Sequence, residues 1–94
     1  MDRVERLECV KDLILAYLVD YYFAEVYIIE DVPTLVLKEE VEDGVKTIEI
    51  GFDSSIFTIR WYVANEVEGL LESSTCDRLF VDDDLLVTYV VEEL

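Results

Sequence analysis

Carboxylates are the only polar side chains numerous enough in this chain to build a reactive or binding site. Three are consecutive, Asp82, Asp83 and Asp84, between two apolar runs that read as buried strands. Acid pairs can hydrolyse glycosides, and acidic clusters can hold Mg²⁺ or Ca²⁺. However, consecutive strand residues point to opposite sides of a sheet, and the run lacks the alternating ligands and the glycine of a calcium loop. We predict a hairpin loop here, with a metal site and contact with a basic partner as alternatives.

The residues needed for most other chemistry are missing. The chain has no histidine, so catalytic groups of the Ser-His-Asp or Cys-His type have no imidazole to carry a proton. Cys9 and Cys76 are too few for a closed zinc site, and we expect two free thiols that act as small packing residues. The three glycines do not form a phosphate-binding loop. We therefore expect a protein that is not an enzyme and that has no cofactor or metal.

Length and composition indicate one folded domain. The chain has 94 residues, 53% of them hydrophobic, and a domain of this size buries roughly 65% of the surface of its unfolded chain. We expect a single domain over residues 1–94. The most apolar stretch, residues 13–29, contains Asp20 and Glu25, which argues against a membrane span. Because the first residues also lack a signal-peptide pattern, we expect a cytoplasmic location.

The net charge of −16 is the strongest global feature, since 23 carboxylates face seven basic groups. Such a surface repels DNA, RNA and anionic membranes. We therefore expect no direct binding of nucleic acid and no membrane association. The expected partner is a basic protein, with a homodimer as a further option.

Hydrophobic periodicity predicts an α+β fold. Apolar residues recur at steps of three and four over residues 2–21, which is typical of an amphipathic helix. The following elements are strands over residues 22–29, 34–41, 45–52 and 56–63, a short helix over residues 65–73, and a hairpin over residues 77–82 and 85–92. The helix at the start is also compatible with an overrun to about residue 24. The predicted fold is an N-terminal helix packed on an antiparallel sheet of five or six strands, with the second helix near residues 65–73.

The side-chain pattern also predicts strand register. A two-residue turn at Asp43 and Gly44 pairs Leu37 with Ile50 and Leu35 with Phe52, so that apolar residues meet. On the opposite face, it pairs Lys38 with Glu49. In the next hairpin, Phe52 pairs with Phe57 and Glu49 with Arg60. The predicted result is a charged ladder of Lys38, Glu49 and Arg60 across three strands.

The excess carboxylates concentrate in predicted loops, at strand ends and in the predicted second helix. Side chains two residues apart on a strand face are separated by roughly 6.7 Å, the same order as successive phosphates along a nucleic-acid strand. A surface of this kind fits the basic groove of a nucleic-acid-binding protein. The candidate partner-binding residues are Glu39, Glu40, Glu42, Asp43, Glu66, Glu68, Glu72, Asp82, Asp83 and Asp84.

In size, charge and lack of catalytic residues, the chain resembles small acidic inhibitors carried by phages and mobile elements, such as anti-restriction and anti-CRISPR proteins. This resemblance implies a nucleic-acid mimic that occupies the basic surface of a partner. A first alternative rests on the predicted order of helix, three or four strands, helix and two strands, which resembles the small acidic secretion chaperones that act as dimers. A second alternative is adaptation of an ordinary domain to a high-salt cytoplasm, where lysine is scarce and valine common; this chain has three lysines and fourteen valines.

Overall fold

The computed structural model describes residues 2–76 and 78–94, which form an α+β fold with an N-terminal helix, as predicted. The elements in chain order are α1 (Arg3–Tyr17), β1 (Phe23–Ile29), β2 (Val32–Val41), β3 (Gly44–Asp53), β4 (Ile56–Asn65), β5 (Gly69–Thr75) and α2 (Asp83–Glu93). Residues 22–29, for which both helix and strand were considered, form a strand from Phe23 onward. In the ranges that the structure describes, no helix has the length and apolar character needed to cross a membrane.

The five strands form one antiparallel meander in the order β1-β2-β3-β4-β5. Alternate residues of the strands point to one face of the sheet, where they form a single apolar core with both helices. The core residues of the central strands are Leu35, Leu37, Ile48, Ile50, Phe52, Phe57 and Ile59, and the helices add Leu7, Val10, Ile14, Leu86, Val87 and Val90. The opposite face of the sheet, called here the open face, carries no helix.

Helix α1 begins and ends for identifiable reasons. Asp2 is its N-cap and accepts a hydrogen bond from the Glu5 N–H at 2.8 Å. The helix ends at Tyr17, earlier than the predicted limit of residue 21, because Leu18 takes an extended conformation from which the chain turns toward β1. Leu18 and Tyr21 still pack against the core. The apolar period therefore continued into the connection after the helix itself had ended.

The predicted second helix over residues 65–73 is wrong, because these residues form a turn and the start of β5. The Asn65 side chain accepts hydrogen bonds from the Val67 and Glu68 N–H groups, as an N-cap does. The capping geometry exists, but only one turn follows it: Gly69 has a φ of +74° and opens β5. Val67 is 93% exposed and gives the turn no buried side on which a helix would depend.

The predicted hairpin over residues 77–82 and 85–92 is also wrong; residue 77 lies outside the described residues. Asp82 is instead the N-cap of α2, and its side chain accepts from the Asp84 and Leu85 N–H groups. The three aspartates start a helix because negative charge is favourable at a helix N-terminus. The observed order of helix, five strands and helix differs from the order on which the resemblance to the secretion chaperones rests.

The register between β2 and β3 differs from the prediction by two residues. The turn residues are Glu42 and Asp43, so that Leu37 pairs with Ile48 and Lys38 with Thr47. Gly44 lies in β3 rather than in the turn. Glycine is required at this position, because a Cβ there would come within 2.2 Å of the Ala64 carbonyl oxygen. This glycine thus serves the close approach of β4. The shift by an even number of residues keeps every side chain on its predicted face.

The predicted register between β3 and β4 is confirmed. Phe52 pairs with Phe57, and Glu49 pairs with Arg60. The predicted ladder of Lys38, Glu49 and Arg60 is only partly present. Arg60 donates to Glu49 through Nε at 2.6 Å, whereas Lys38 lies over the ring of Phe23.

Candidate functional site

Two hairpin turns lie together at one end of the sheet, because a meander places alternate turns at the same end. These are the β2–β3 turn at Glu42 and Asp43 and the β4–β5 turn that follows Asn65. Asn65 joins them directly, since its Nδ2 donates to the carbonyl oxygen of Asp43 at 2.9 Å. The structure thus brings together two predicted clusters that are separate in sequence. We call this region the acidic end; its predicted site residues are Glu39, Glu40, Glu42, Asp43, Glu66, Glu68 and Glu72.

The C-termini of both helices point to the acidic end. For α2, Lys46 of β3 donates to the carbonyl oxygen of Leu94 at 3.0 Å, next to Glu92 and Glu93. For α1, the connection that follows the helix brings Tyr21 close to Glu39 of β2. Neither helix has a basic residue in its last turn. The partial negative charges of two helix termini therefore add to the field of the carboxylates.

The negative environment of the acidic end affects the pKa of Tyr21. The pKa of its hydroxyl is raised to about 12, first by burial and then by the negative charges of Glu39 and Asp20. Glu39 is partly buried on the core side of the sheet, near its rim. The other predicted residues at the acidic end are exposed to solvent.

The basic residues of the chain do not neutralise the acidic end. Among the described residues, the four ion pairs with carboxylates join Arg3 to Asp53, Arg6 to Asp83, Lys11 to Glu8, and Arg60 to Glu49. None of these pairs includes a predicted residue of the acidic end. Lys46 is opposite Glu39 in the sheet, but its ammonium contacts the Leu94 carbonyl and lies over the Trp61 ring. The carboxylates at this end are therefore available to a partner.

Asp82, Asp83 and Asp84, the third predicted cluster, lie at the opposite end of the sheet. Asp83 accepts from Arg6 Nε at 3.0 Å and from Arg6 Nη2 at 2.8 Å. Arg6 also donates to the Val81 carbonyl oxygen. The structure thus separates this cluster from the other two, and assigns Asp82 and Asp83 to the start of α2.

Two apolar side chains belong to the acidic end and were not among the predicted site residues. Val67 is 93% exposed between Glu66 and Glu68, and Leu70 is 63% exposed just after the turn. Apolar anchors inside a charged rim are typical of protein interfaces. The sequence signal for this feature is a valine set between Glu66 and Glu68.

The two cysteines lie outside the acidic end, and both are free thiols. Cys76 is partly buried and packs against the core, as expected. The expectation that Cys9 is a packing residue is wrong, because α1 turns it outward and exposes it. Trp61 is half-buried at the edge of the core, beneath Lys46.

The arrangement of the acidic end is suited to electrostatic binding. It offers a dense set of carboxylates, two helix C-termini and two apolar side chains. Over residues 2–76 and 78–94, no group of three or more His, Cys, Asp or Glu side chains has a geometry that could hold a metal ion. Comparisons of the chain with protein-family models, with curated proteins and with solved structures give no match.

Proposed function

We propose that this protein is a non-enzymatic acidic binding protein whose acidic end occupies the basic nucleic-acid-binding surface of a partner protein. On this proposal it inhibits the partner as a nucleic-acid mimic of the anti-restriction or anti-CRISPR type. The observation that carries the proposal is the convergence of two acidic hairpins on one end of the sheet, where no ion pair among the described residues reaches them.

Electrostatics favour a basic partner over other partners. A concentrated negative field attracts a positively charged groove and raises the rate of encounter. The same field opposes nucleic acid itself and anionic membranes. Val67 and Leu70 add apolar contact area, which a simple polycation does not use but a protein surface can bury. The proposed partner is therefore a folded basic protein.

The proposal includes a cytoplasmic location, where nucleic-acid-binding partners are accessible and free thiols such as Cys9 and Cys76 persist. It requires no cofactor, metal or covalent step. Inhibition would follow from occupancy alone, so that it is reversible and competitive with nucleic acid.

A matched pair of variants tests the role of the acidic end. The β1–β2 turn and the β2–β3 turn have the same two central residues, Glu30 and Asp31 in one and Glu42 and Asp43 in the other. Because alternate turns of the meander lie at opposite ends of the sheet, E42Q/D43N removes two charges from the acidic end and E30Q/D31N removes two from the other end. The net charge of the two variants is identical.

The measurement is inhibition of duplex-DNA binding by a panel of restriction endonucleases and CRISPR effector complexes, at 50 mM and 300 mM NaCl. We expect inhibition of a panel member by the natural chain, weaker inhibition at the higher salt, and release by added duplex. E42Q/D43N should weaken inhibition at least tenfold, whereas E30Q/D31N should change it less than twofold. Equal effects of the two variants, or no inhibition of any panel member, would contradict the proposal.

A further inference from the structure

The two edge strands of the sheet differ in how they are protected. The outer backbone groups of an edge strand are a template for pairing with another chain, and proteins protect such edges with lysine, proline, bulges or many charges. β5 is polar from Glu72 to Thr75, and its pairing with β4 contains a bulge. β1 is regular, has no lysine or proline, and contains one charged residue, Glu25. Only β1 is therefore suited to accept another strand.

Apolar side chains surround the edge at β1. Tyr27 and Ile28 within the strand are 47% and 60% exposed. In the connection just before it, Val19 and Tyr22 are 87% and 59% exposed. A monomer leaves these four side chains in water, together with the unpaired backbone groups of the strand. Pairing at this edge would remove both from solvent.

We propose that β1 is a homodimer interface, at which β1 of a second copy pairs with it antiparallel and the two sheets join into one of ten strands. The register follows from Glu25, the one charge in the strand. With Tyr27 on the two-fold axis, Val26 lies opposite Ile28 and Glu25 lies opposite Ile29. The two Glu25 side chains are then offset by four residues, about 13 Å along the strands, which exceeds the Debye length of about 8 Å at physiological salt. An axis at Val26 would bring them to an offset of only two residues.

The second copy fits this edge because antiparallel pairing separates the strongest charges. β1 begins at the acidic end, where Phe23 pairs with Lys38 of β2. Two antiparallel copies of β1 therefore place the two acidic ends at opposite poles of the dimer. Parallel pairing of β1 would instead place the two acidic ends side by side. Since β5 does not accept strands, the association stops at two chains.

Lys38 adds charge complementarity to this register. Its ammonium lies over the Phe23 ring at 5.4 Å, which directs it toward the β1 edge on the open face. It is in no ion pair among the described residues. With Tyr27 on the axis, Ile29 of the second copy is opposite Glu25, so that the turn of Glu30 and Asp31 that follows it lies beside Phe23. This turn offers carboxylates to Lys38 across the interface.

Light scattering of the purified chain tests the interface directly. We expect twice the mass of a single chain at 100 µM and 150 mM NaCl, and tighter association at 500 mM NaCl, because salt screens the repulsion between the two copies. Ile28→Lys should restore the single-chain mass. Leu70→Lys introduces the same charge at a site of similar exposure on β5 and should leave the dimer intact. Circular dichroism checks that both variants are folded.

A disulfide tests the register. In a C9S/C76S background, Tyr27→Cys places two thiols directly opposite each other on the axis, within the Cα separation that a disulfide needs. Mild oxidation should link most of the chains, whereas Ser73→Cys on β5 should give few linked chains. A single-chain mass at every salt concentration up to 1 mM protein, together with no enrichment of the Tyr27→Cys link over the Ser73→Cys link, would overturn the proposal. The test is independent of the proposed function, since association strengthens with salt while partner inhibition weakens.

Discussion

The two ends of the sheet are both rich in carboxylates but use them in opposite ways. The end that contains the β1–β2 and β3–β4 turns, called here the capped end, also holds the N-termini of α1 and α2. There Asp2 and Asp82 cap helices, and Arg3 and Arg6 pair with Asp53 and Asp83. At the acidic end the helices terminate, and over residues 2–76 and 78–94 no arginine forms an ion pair with its predicted site carboxylates. The same residue type is thus structural at one end and available at the other, because the helices run in the same direction.

The largest expected effect is loss of the contact that organises the capped end. Arg6 donates to Asp83 and to the Val81 carbonyl, and its guanidinium lies 4.8 Å from the ring centre of Phe52 and 5.1 Å from that of Phe57. Arg6→Ala should lower the free energy of unfolding by about 2 kcal/mol, because charged hydrogen bonds and cation–π contacts are lost together. Urea denaturation measures the change. Arg3→Ala, which breaks the exposed pair with Asp53, is the control and should cost less than about 1 kcal/mol; equal losses would show that Arg6 has no special role.

A smaller effect is expected at the helix caps. Asp82→Ala should destabilise the protein by about 1 kcal/mol, since the Asp84 and Leu85 N–H groups lose their acceptor. Asp82→Asn keeps an acceptor oxygen and should restore most of the loss. Thermal and urea unfolding of both variants provide the measurement. A destabilisation by Asn as large as that by Ala would indicate that charge, and not capping, is the contribution of this residue.

Tyr21 provides a reporter of the acidic end in alkaline solution. Its pKa is about 12 in the folded protein and about 10 when the chain unfolds. Because the pKa of Tyr21 is higher in the folded protein than in the unfolded chain, the neutral hydroxyl contributes to the stability of the fold. This contribution is fully present below pH 10 and is lost as the pH rises toward 12. Absorbance titration near 295 nm should show a late-ionising tyrosine that is absent in Tyr21→Phe. Glu39→Gln should move this ionisation to lower pH, and an unchanged titration would show that Glu39 does not contribute to the raised pKa.

The smallest expected effect is that of salt on the free energy of unfolding, and it should differ between variants of the acidic end and variants of the capped end. The domain should remain folded in dilute buffer, because its surface charges are dispersed over the molecule apart from one end. Raising NaCl from 10 to 150 mM should stabilise the natural chain by a few tenths of a kcal/mol through screening. E42Q/D43N should reduce this salt dependence more than E30Q/D31N. Unfolding of the natural chain at low salt would instead support adaptation to a high-salt cytoplasm.

The sequence predicted the sheet better than the second helix. Alternation in β2, β3 and β4 is strict, and pairs such as Phe52 with Phe57 have one favourable register. In α2, the valines and the apolar residues on both sides of the chain indicated a buried strand, and this prediction was wrong. These residues form a helix because Asp82 caps it and because it packs beside α1. The packing beside α1 is a tertiary contact that no local pattern contains.

The candidate site was predictable in its parts but not in its arrangement. The β2–β3 hairpin and the acidic residues of both clusters were predicted, whereas the β4–β5 turn was predicted as a helix. Their meeting depends on strand direction, and it is fixed by the bond from Asn65 to the Asp43 carbonyl. The separation of Asp82, Asp83 and Asp84 depends on the same topology, since α2 begins beside Arg6 of α1 at the far end of the sheet.

The common direction of the two helices has a mechanical consequence in solution. Because Arg3 and Arg6 offset part of the negative charge at the capped end, a positively charged body would exert a torque on the molecule before the surfaces touch. The protein therefore turns its acidic end toward such a body during approach, and a larger share of encounters has the orientation needed for binding.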